Sequence, residues 1–136
     1  MSQALFRPLE GKADEILDFI MQAPEVQAHP SVSYAVRLVC EEIIVNIIHY
    51  AYPNTSDGYI GIGITDDDFT LRITIRDGGK PFNPLKRELP DITQALKDRQ
   101  IGGLGIFLVR EMADEVDYTY TDGENRLLLI KHISQE

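Results

Sequence analysis

Two polar side chains interrupt an apolar stretch near the middle of the sequence, and together they could form a chemical site. Glu42 and Asn46 are four residues apart, so on a helix they point to the same side. Burying both without partners would cost on the order of a few kcal/mol. One interpretation is a solvent-facing stripe. The other is a site where the Asn46 amide oxygen binds Mg²⁺ and the Glu42 carboxylate orients or deprotonates a nucleophile.

An acidic residue followed by two glycines marks a second candidate position. Asp77 ends a strand-like stretch, and Gly78 and Gly79 then allow a sharp exit with close backbone approach. An ordinary Asp-Gly turn is one interpretation. The alternative is recognition of a nucleobase, because a carboxylate can accept a hydrogen bond from the exocyclic amine of adenine.

The third candidate is a glycine-rich loop, Gly102-Gly103-Leu104-Gly105, directly before an apolar helical stretch. Backbone N–H groups of such a loop and the start of a helix favour an anion such as phosphate. The loop is not of the Walker A type, since no Gly-Lys-Ser/Thr follows, and no strand directly precedes it as a Rossmann site requires. By itself the loop is a weak signal.

The elements that must position these groups follow from hydrophobic periodicity. Helical spacing predicts one helix over residues 11–21 and a longer one from an N-cap at Ser31 to residue 52, apolar on most of its circumference. Pro24 and Pro30 predict a break between them. Further helices are expected near residues 92–97 and 106–113. Alternation predicts strands over residues 4–7, 59–65, 69–76, 117–121 and 126–133, the last two joined by a turn over residues 122–125.

This order of elements predicts the fold class. Neighbouring strands joined by hairpins imply a mixed, mostly antiparallel sheet, and helices on one face of it give an α/β fold of the two-layer α+β sandwich type. The 136 residues, 43% of them apolar, are sufficient for a single domain spanning residues 1–136.

Charge and cysteine content limit the classes of partner. The net charge of −9 disfavours direct binding to nucleic acid or to an anionic membrane. The single cysteine, Cys40, allows no internal disulfide, which is typical of a reducing compartment. Because no signal peptide and no apolar run of about 20 residues is found, a cytoplasmic location is expected.

The three motifs in this order resemble the N, G1 and G2 boxes of the GHKL ATPases. The closest resemblance is to stand-alone bacterial anti-sigma factors that are also serine-protein kinases. Residues 77–84 are similar to that branch's D-x-G-x-P-F-D-P run, and residues 102–110 are similar to its G-G-x-G-L-x-L-v-r run. The resemblance continues through residues 112–118 and covers roughly residues 10–133.

The resemblance implies a Bergerat fold that binds ATP and Mg²⁺ under a mobile lid, here residues 84–101. It implies Glu42 as the catalytic base and Asn46 as the metal ligand. Cofactor-binding residues by the same resemblance are Asn46, Asp77, Gly79, Gly103, Leu104 and Gly105. The sequence departs from the family in two places. Tyr50 stands where many relatives have a histidine, and Pro81 replaces the second glycine of the G1 box.

The function implied is transfer of the γ-phosphoryl group of ATP to a serine of an anti-sigma antagonist, a STAS-type protein, together with sequestration of a sigma factor. An alternative is a nucleotide-gated binding module without useful phosphotransfer, in which ATP orders the lid. A minor alternative is a histidine-kinase-like ATPase acting with a separate phosphoacceptor. Relatives form dimers, so a homodimer is allowed, although the sequence does not fix it.

Overall fold

The structure is a computed structural model, and it describes residues 1–8, 12–48, 58–81, 83, 109 and 111–133. Within these residues the elements, in chain order, are β1 (Ser2–Phe6), α1 (Ala13–Gln22), α2 (Pro24–Gln27), α3 (Ser33–Asn46), β2 (Ile60–Asp66), β3 (Thr70–Asp77), β4 (Glu115–Thr121) and β5 (Glu124–His132). A single 3₁₀ turn, Pro30–Val32, leads into α3. None of the described helices is long and apolar enough to cross a membrane.

The five described strands form one sheet in the order β1-β2-β3-β5-β4, and every neighbouring pair in it is antiparallel. Residues directly opposite each other in such a pair share a face. One face carries the buried side chains and packs against the helices, and we call it the inner face. The predicted α+β two-layer sandwich is therefore confirmed, and the described strands supply the antiparallel part of the predicted sheet.

The core lies between the inner face and α1 and α3. The sheet contributes the buried side chains of Ile60, Ile62, Ile64, Leu71, Ile73, Ile75, Leu127 and Leu129. The helices contribute, among others, Ile16, Leu17, Ile20, Val36, Val39, Cys40, Ile43 and Ile44. The alternation predicted for the second and third strands is thus confirmed. Phe69 is the exception, because it lies in the turn before β3 and is largely exposed.

Helix α3 differs from its prediction at its start and on its surface. The predicted N-cap at Ser31 is wrong, because Pro30 begins a 3₁₀ turn and α3 starts only after Val32, which makes no side-chain cap. Tyr34 and Glu41 lie on an exposed stripe, so the helix is one-sided rather than apolar on most of its circumference. The helical path continues through residues 47–48, and the rest of the predicted helix lies outside the described residues.

Two turns fix the register of the hairpins. At the β2–β3 turn, one carboxylate oxygen of Asp67 accepts hydrogen bonds from the backbone N–H groups of Phe69 and Thr70, at 2.8 and 2.9 Å. At the β4–β5 turn, Asp122 and Gly123 both have positive φ angles, 56° and 76°. This geometry is that of a two-residue hairpin turn. The predicted four-residue turn is therefore wrong, and Glu124 and Asn125 belong to β5.

A contact at one end of the layers places the starts of α3 and β3 beside each other. His29, just before the 3₁₀ turn, lies 3.0 Å from the Asp66 carboxylate, which places the start of α3 beside the turn from which β3 begins. The break predicted between Pro24 and Pro30 contains the short helix α2, because proline is favoured at a first helical position. Helix α3 ends at Asn46, and β3 ends at Asp77.

Candidate functional site

Asp77 is the last residue of β3 and points to the inner face, where it is 3% exposed. Its Oδ1 accepts hydrogen bonds from the backbone N–H of Gly79 at 3.0 Å and from Asn125 Nδ2 at 2.9 Å. Among the described residues, both hydrogen bonds to this carboxylate end on Oδ1. Burial raises the pKa of Asp77, and the bonds from Asn125 and Gly79 oppose that rise. The remaining oxygen, Oδ2, is available to accept a hydrogen bond from a ligand.

Asn125 is the main side-chain partner of Asp77. It lies opposite Asp77 in the β3–β5 pairing and is 4% exposed. Its Nδ2 also donates to the backbone carbonyl of Lys80 at 2.9 Å, and its Oδ1 accepts a hydrogen bond from the Tyr118 hydroxyl. Asn125 does not stand out in the sequence as a site residue, because the predicted β4–β5 turn is two residues too long and includes it. A two-residue Asp-Gly turn at Asp122 and Gly123 would have predicted the observed register.

The opposite side of the Asp77-Gly78-Gly79 turn is held by a second group of residues. The Tyr59 ring lies so close to Gly78 that an added Cβ would come within 2.8 Å of its Cε1 atom. The Tyr59 hydroxyl donates to Glu124, and this bond lowers the pKa of the Glu124 carboxyl. Arg126 Nε also donates to Glu124, at 2.7 Å. The exit from β3 is therefore held from both faces of the sheet.

Asn46 is buried in α3, and its amide nitrogen lacks a partner. The side chain follows Val39 and Ile43 along the buried side of the helix, and the residue is 3% exposed. Among the described residues, Asn46 Nδ2 is the buried side-chain nitrogen or oxygen atom for which no hydrogen-bond partner is found. A buried donor without a partner costs about 1–3 kcal/mol. The solvent-facing interpretation is therefore wrong for Asn46, and a ligand that completes its bonding is favoured.

The chemistry of Asn46 fits the magnesium ion that the resemblance implies. A carboxamide oxygen is a hard ligand, and Mg²⁺ commonly combines one or two protein oxygens with water and phosphate oxygens. The described part of the chain brings no three His, Cys, Asp or Glu side chains together in a geometry for a metal.

Glu42 lies one helical turn before Asn46 and is half-buried. Burial raises the pKa of its carboxyl, and the neighbouring carboxylate of Glu41 raises it further. A raised pKa moves a carboxylate toward the range in which it can take up a proton near neutral pH. Both interpretations of this residue, solvent-facing acid and general base, are compatible with half-burial.

The described residues bring part of the predicted site together. Asp77 and Gly79 are in direct contact, and Glu42 and Asn46 share one side of α3. No hydrogen bond or ion pair between described residues joins these two pairs. The predicted phosphate-loop residues Gly103, Leu104 and Gly105, and the predicted lid over residues 84–101, lie outside the described residues and stay predictions.

Comparisons with known proteins concern the family of the whole domain. The family model described as "Histidine kinase-like ATPase domain" matches residues 6–131. The chain is 26% identical over 103 residues to the serine/threonine-protein kinase BtrW of Bordetella bronchiseptica, covering 76% of this chain and 72% of that protein. It is 25% identical over 101 residues to an anti-sigma F factor of Anoxybacillus flavithermus, covering 74% and 69%. It is 26% identical to the serine-protein kinase RsbW of Listeria monocytogenes, covering 74% and 66%.

A solved structure supports the fold independently. The histidine kinase domain of the blue-light activated histidine kinase EL346 of Erythrobacter litoralis superimposes with a TM-score of 0.54 at 16% identity. The match covers 73% of this chain and 43% of that one, so the likeness concerns the shared domain. With a family match over residues 6–131 and relatives of the kinase and anti-sigma kind, the chain belongs to the histidine kinase-like ATPase domain family, as a GHKL domain of the anti-sigma kinase type.

Proposed function

We propose that this protein binds ATP with Mg²⁺ and transfers the γ-phosphoryl group to a serine of a STAS-type anti-sigma antagonist, and that it also sequesters a sigma factor. The observation that carries the proposal is the pair of buried polar side chains, Asn46 and Asp77, at the ends of α3 and β3. In the described structure Asn46 lacks a partner for its amide nitrogen, and Asp77 has its bonds concentrated on one oxygen. A nucleotide would supply partners for both.

Adenine recognition would fall to Asp77. Its Oδ2 is an acceptor on the inner face, and the 6-amino group of adenine is a donor of matching character. Guanine carries a carbonyl oxygen at this position, and two acceptors facing each other repel. Gly79 would keep the backbone beside the base without a side chain that could obstruct it.

Phosphate and metal binding would fall to Asn46 and to the glycine-rich loop. Mg²⁺ bound through the Asn46 amide oxygen would offset the charge of the phosphate oxygens. Gly103, Leu104 and Gly105 would contribute backbone N–H groups near the start of the following helix, where anions are favoured. The cation and these N–H groups would oppose the repulsion between a nucleotide and a chain of net charge −9.

Glu42 would act as the base in phosphoryl transfer. The serine oxygen of the antagonist bonds to the γ-phosphorus, the bond from that phosphorus to the β–γ bridging oxygen breaks, and ADP leaves. The serine proton passes to the Glu42 carboxylate, whose raised pKa suits it to accept a proton. The names of the relatives, a serine/threonine-protein kinase and a serine-protein kinase, support this reaction class.

The partners are proposed from the relatives as well. One is named an anti-sigma F factor, which supports a sigma factor and its antagonist as the proteins that this chain binds. Such partners act in the cytoplasm, so we expect this protein to act there too. A homodimer is the proposed assembly.

Incubation with [γ-³²P]ATP, Mg²⁺ and the purified STAS-type antagonist of the same organism tests the proposal. We expect label on an antagonist serine with the wild-type protein and none with Glu42→Gln, which should still bind ATP. Binding of ATP without any transfer of label would refute the kinase assignment and favour the nucleotide-gated module. No binding of ATP at all would refute both.

A further inference from the structure

We propose that Tyr118 and Asn125 are positioning residues that set the purine preference of the nucleotide site by holding the Asp77 carboxylate in the orientation that presents an acceptor to the base. They lie next to each other on β4 and β5, on the same inner face as Asp77. The inference rests on the proposed function, because it presupposes that Asp77 reads the base. It adds two residues to the site, and Asn125 is one that the sequence pattern placed in a turn.

The hydrogen bonds leave one orientation for the Asn125 amide. Its nitrogen lies 2.9 Å from two acceptors, Asp77 Oδ1 and the carbonyl oxygen of Lys80, and its oxygen accepts from the Tyr118 hydroxyl. A flipped amide would place its oxygen against a carboxylate and a carbonyl. Such a flip would break two hydrogen bonds in a site that is almost fully buried. The hydrogen-bond partners therefore determine the orientation of the Asn125 amide.

The fixed amide in turn determines how the Asp77 carboxylate is presented. Asn125 Nδ2 and the backbone N–H of Gly79 both donate to Oδ1, so rotation of the carboxylate would leave these two donors misaligned. Oδ2 therefore stays in place as an acceptor. The carbonyl of Lys80 is bonded to the same amide, which ties the chain leaving β3 to β5. Asn125 thus links the carboxylate to the backbone that follows it.

Tyr118 lies on the edge strand β4, and its hydroxyl holds the Asn125 amide in place. Tyr118 lies directly opposite Leu127, two residues beyond Asn125 in β5, and its hydroxyl reaches back to the amide oxygen. Removal of this hydroxyl would take away a hydrogen bond that holds the amide oxygen of Asn125 in place. Tyr120, which lies directly opposite Asn125 and is 45% exposed, makes no such bond in the described structure and provides a matched control.

The first test compares two purine nucleotides that differ at position 6. Dissociation constants for ADP and inosine diphosphate are measured by calorimetry with Mg²⁺ for the wild-type protein and for Tyr118→Phe, Asn125→Ala and Tyr120→Phe. Inosine has a carbonyl where adenosine has the amine. We expect the preference for ADP to fall about tenfold in Asn125→Ala, the equivalent of one hydrogen bond, and severalfold in Tyr118→Phe. Tyr120→Phe should keep the wild-type preference.

The outcomes separate this proposal from the proposed function. If Asp77→Asn abolishes the preference for ADP while Tyr118→Phe and Asn125→Ala keep it, the positioning role is refuted and adenine recognition stands. If the wild-type protein binds neither nucleotide, both proposals fail. Should Asn125→Ala not fold, Tyr118→Phe carries the test, because it removes one hydroxyl group with little change in volume.

A second readout needs no nucleotide. The hydrogen bond from Asn125 lowers the pKa of Asp77, against burial and the nearby carboxylate of Glu124, which raise it. A ¹³C NMR titration of the Asp77 carboxyl carbon in the ligand-free protein should therefore show a higher pKa in Asn125→Ala than in the wild type. Tyr118→Phe should give a smaller change in the same direction. An unchanged pKa in Asn125→Ala would overturn the inference.

Discussion

Replacing Asp77 by asparagine should weaken nucleotide binding through a conflict of donors. Oδ1 of Asp77 already accepts from two N–H groups, those of Gly79 and Asn125. If the new amide keeps its oxygen at that position, its NH₂ group occupies the place of Oδ2 and faces the amine of adenine. If it flips, the NH₂ group faces the two N–H donors. Either orientation places a donor against a donor, so a nearly isosteric change removes the acceptor.

The size of the effect follows from the hydrogen bond that is lost. A hydrogen bond to a charged group contributes about 1.5–3 kcal/mol, which corresponds to a dissociation constant raised about 10- to 150-fold. Ligand at about a hundredfold over the wild-type dissociation constant stabilises the wild type by about 2.7 kcal/mol and the variant by about 0.3–1.4 kcal/mol. At about 4 °C per kcal/mol for a domain of this size, Tm should rise by about 11 °C in the wild type and about 1–6 °C in Asp77→Asn.

A thermal shift experiment with ADP and Mg²⁺ measures this difference. The matched control is Asp117→Asn, which changes the same chemical group at an exposed position of β4. The control should keep the wild-type gain in Tm. An Asp77→Asn variant that gains as much from ADP as the wild type would refute the assignment of Asp77 to adenine.

Three further substitutions test the site and its support. Glu42→Gln should raise the free energy of unfolding at pH 7 by less than about 1 kcal/mol, since water screens the half-exposed carboxylate. The gain should vanish as the pH falls below the ordinary pKa of 4.5, because the carboxyl then becomes protonated in both states, and a gain independent of pH would contradict this. Asn46→Leu should stabilise the nucleotide-free protein by about 1 kcal/mol in denaturant unfolding and abolish Mg²⁺-dependent ATP binding. ATP binding that still depends on Mg²⁺ in this variant would exclude Asn46 as the metal ligand. Gly78→Ala should destabilise the protein by about 1–3 kcal/mol because its Cβ would meet Tyr59 at 2.8 Å, whereas Gly63→Ala, with open space at its Cβ, should be nearly neutral; equal effects would refute the contact.

The fold could be predicted from the sequence because its main signals are repeated along many residues. Alternating isoleucines in β2 and β3 identify the buried face of the sheet without knowledge of the partner strands. Helix α1 was predicted within two residues at its start and one at its end. Such periodic patterns average over several side chains, so one exception, such as exposed Phe69, does not change the result.

The start of α3 and the β4–β5 register could not be predicted as well, since each depends on one or two backbone angles. Ser31 has a favourable residue type for an N-cap, but the 3₁₀ turn begun by Pro30 delays the helix. In the β4–β5 hairpin, positive φ angles at two residues decide whether Asn125 lies in the turn or opposite Asp77. Such a shift in strand register moves one side chain into or out of the site, and the amino-acid composition does not reveal it.

The candidate site is where the apolar pattern of the sequence is broken, and the structure shows what those breaks cost. Asn46 buries an amide nitrogen without a partner, and burial raises the pKa values of Glu42 and Asp77. Each of these features lowers the stability of the nucleotide-free protein near neutral pH, and an apolar or uncharged residue would avoid the cost. A bound nucleotide at about a hundredfold over its dissociation constant contributes about 2.7 kcal/mol, which is comparable to the largest single cost of about 1–3 kcal/mol for a buried polar group without a partner. Under the proposed function, folding of this domain should therefore depend on nucleotide concentration, and the ligand would restore stability through Asn46 and Asp77.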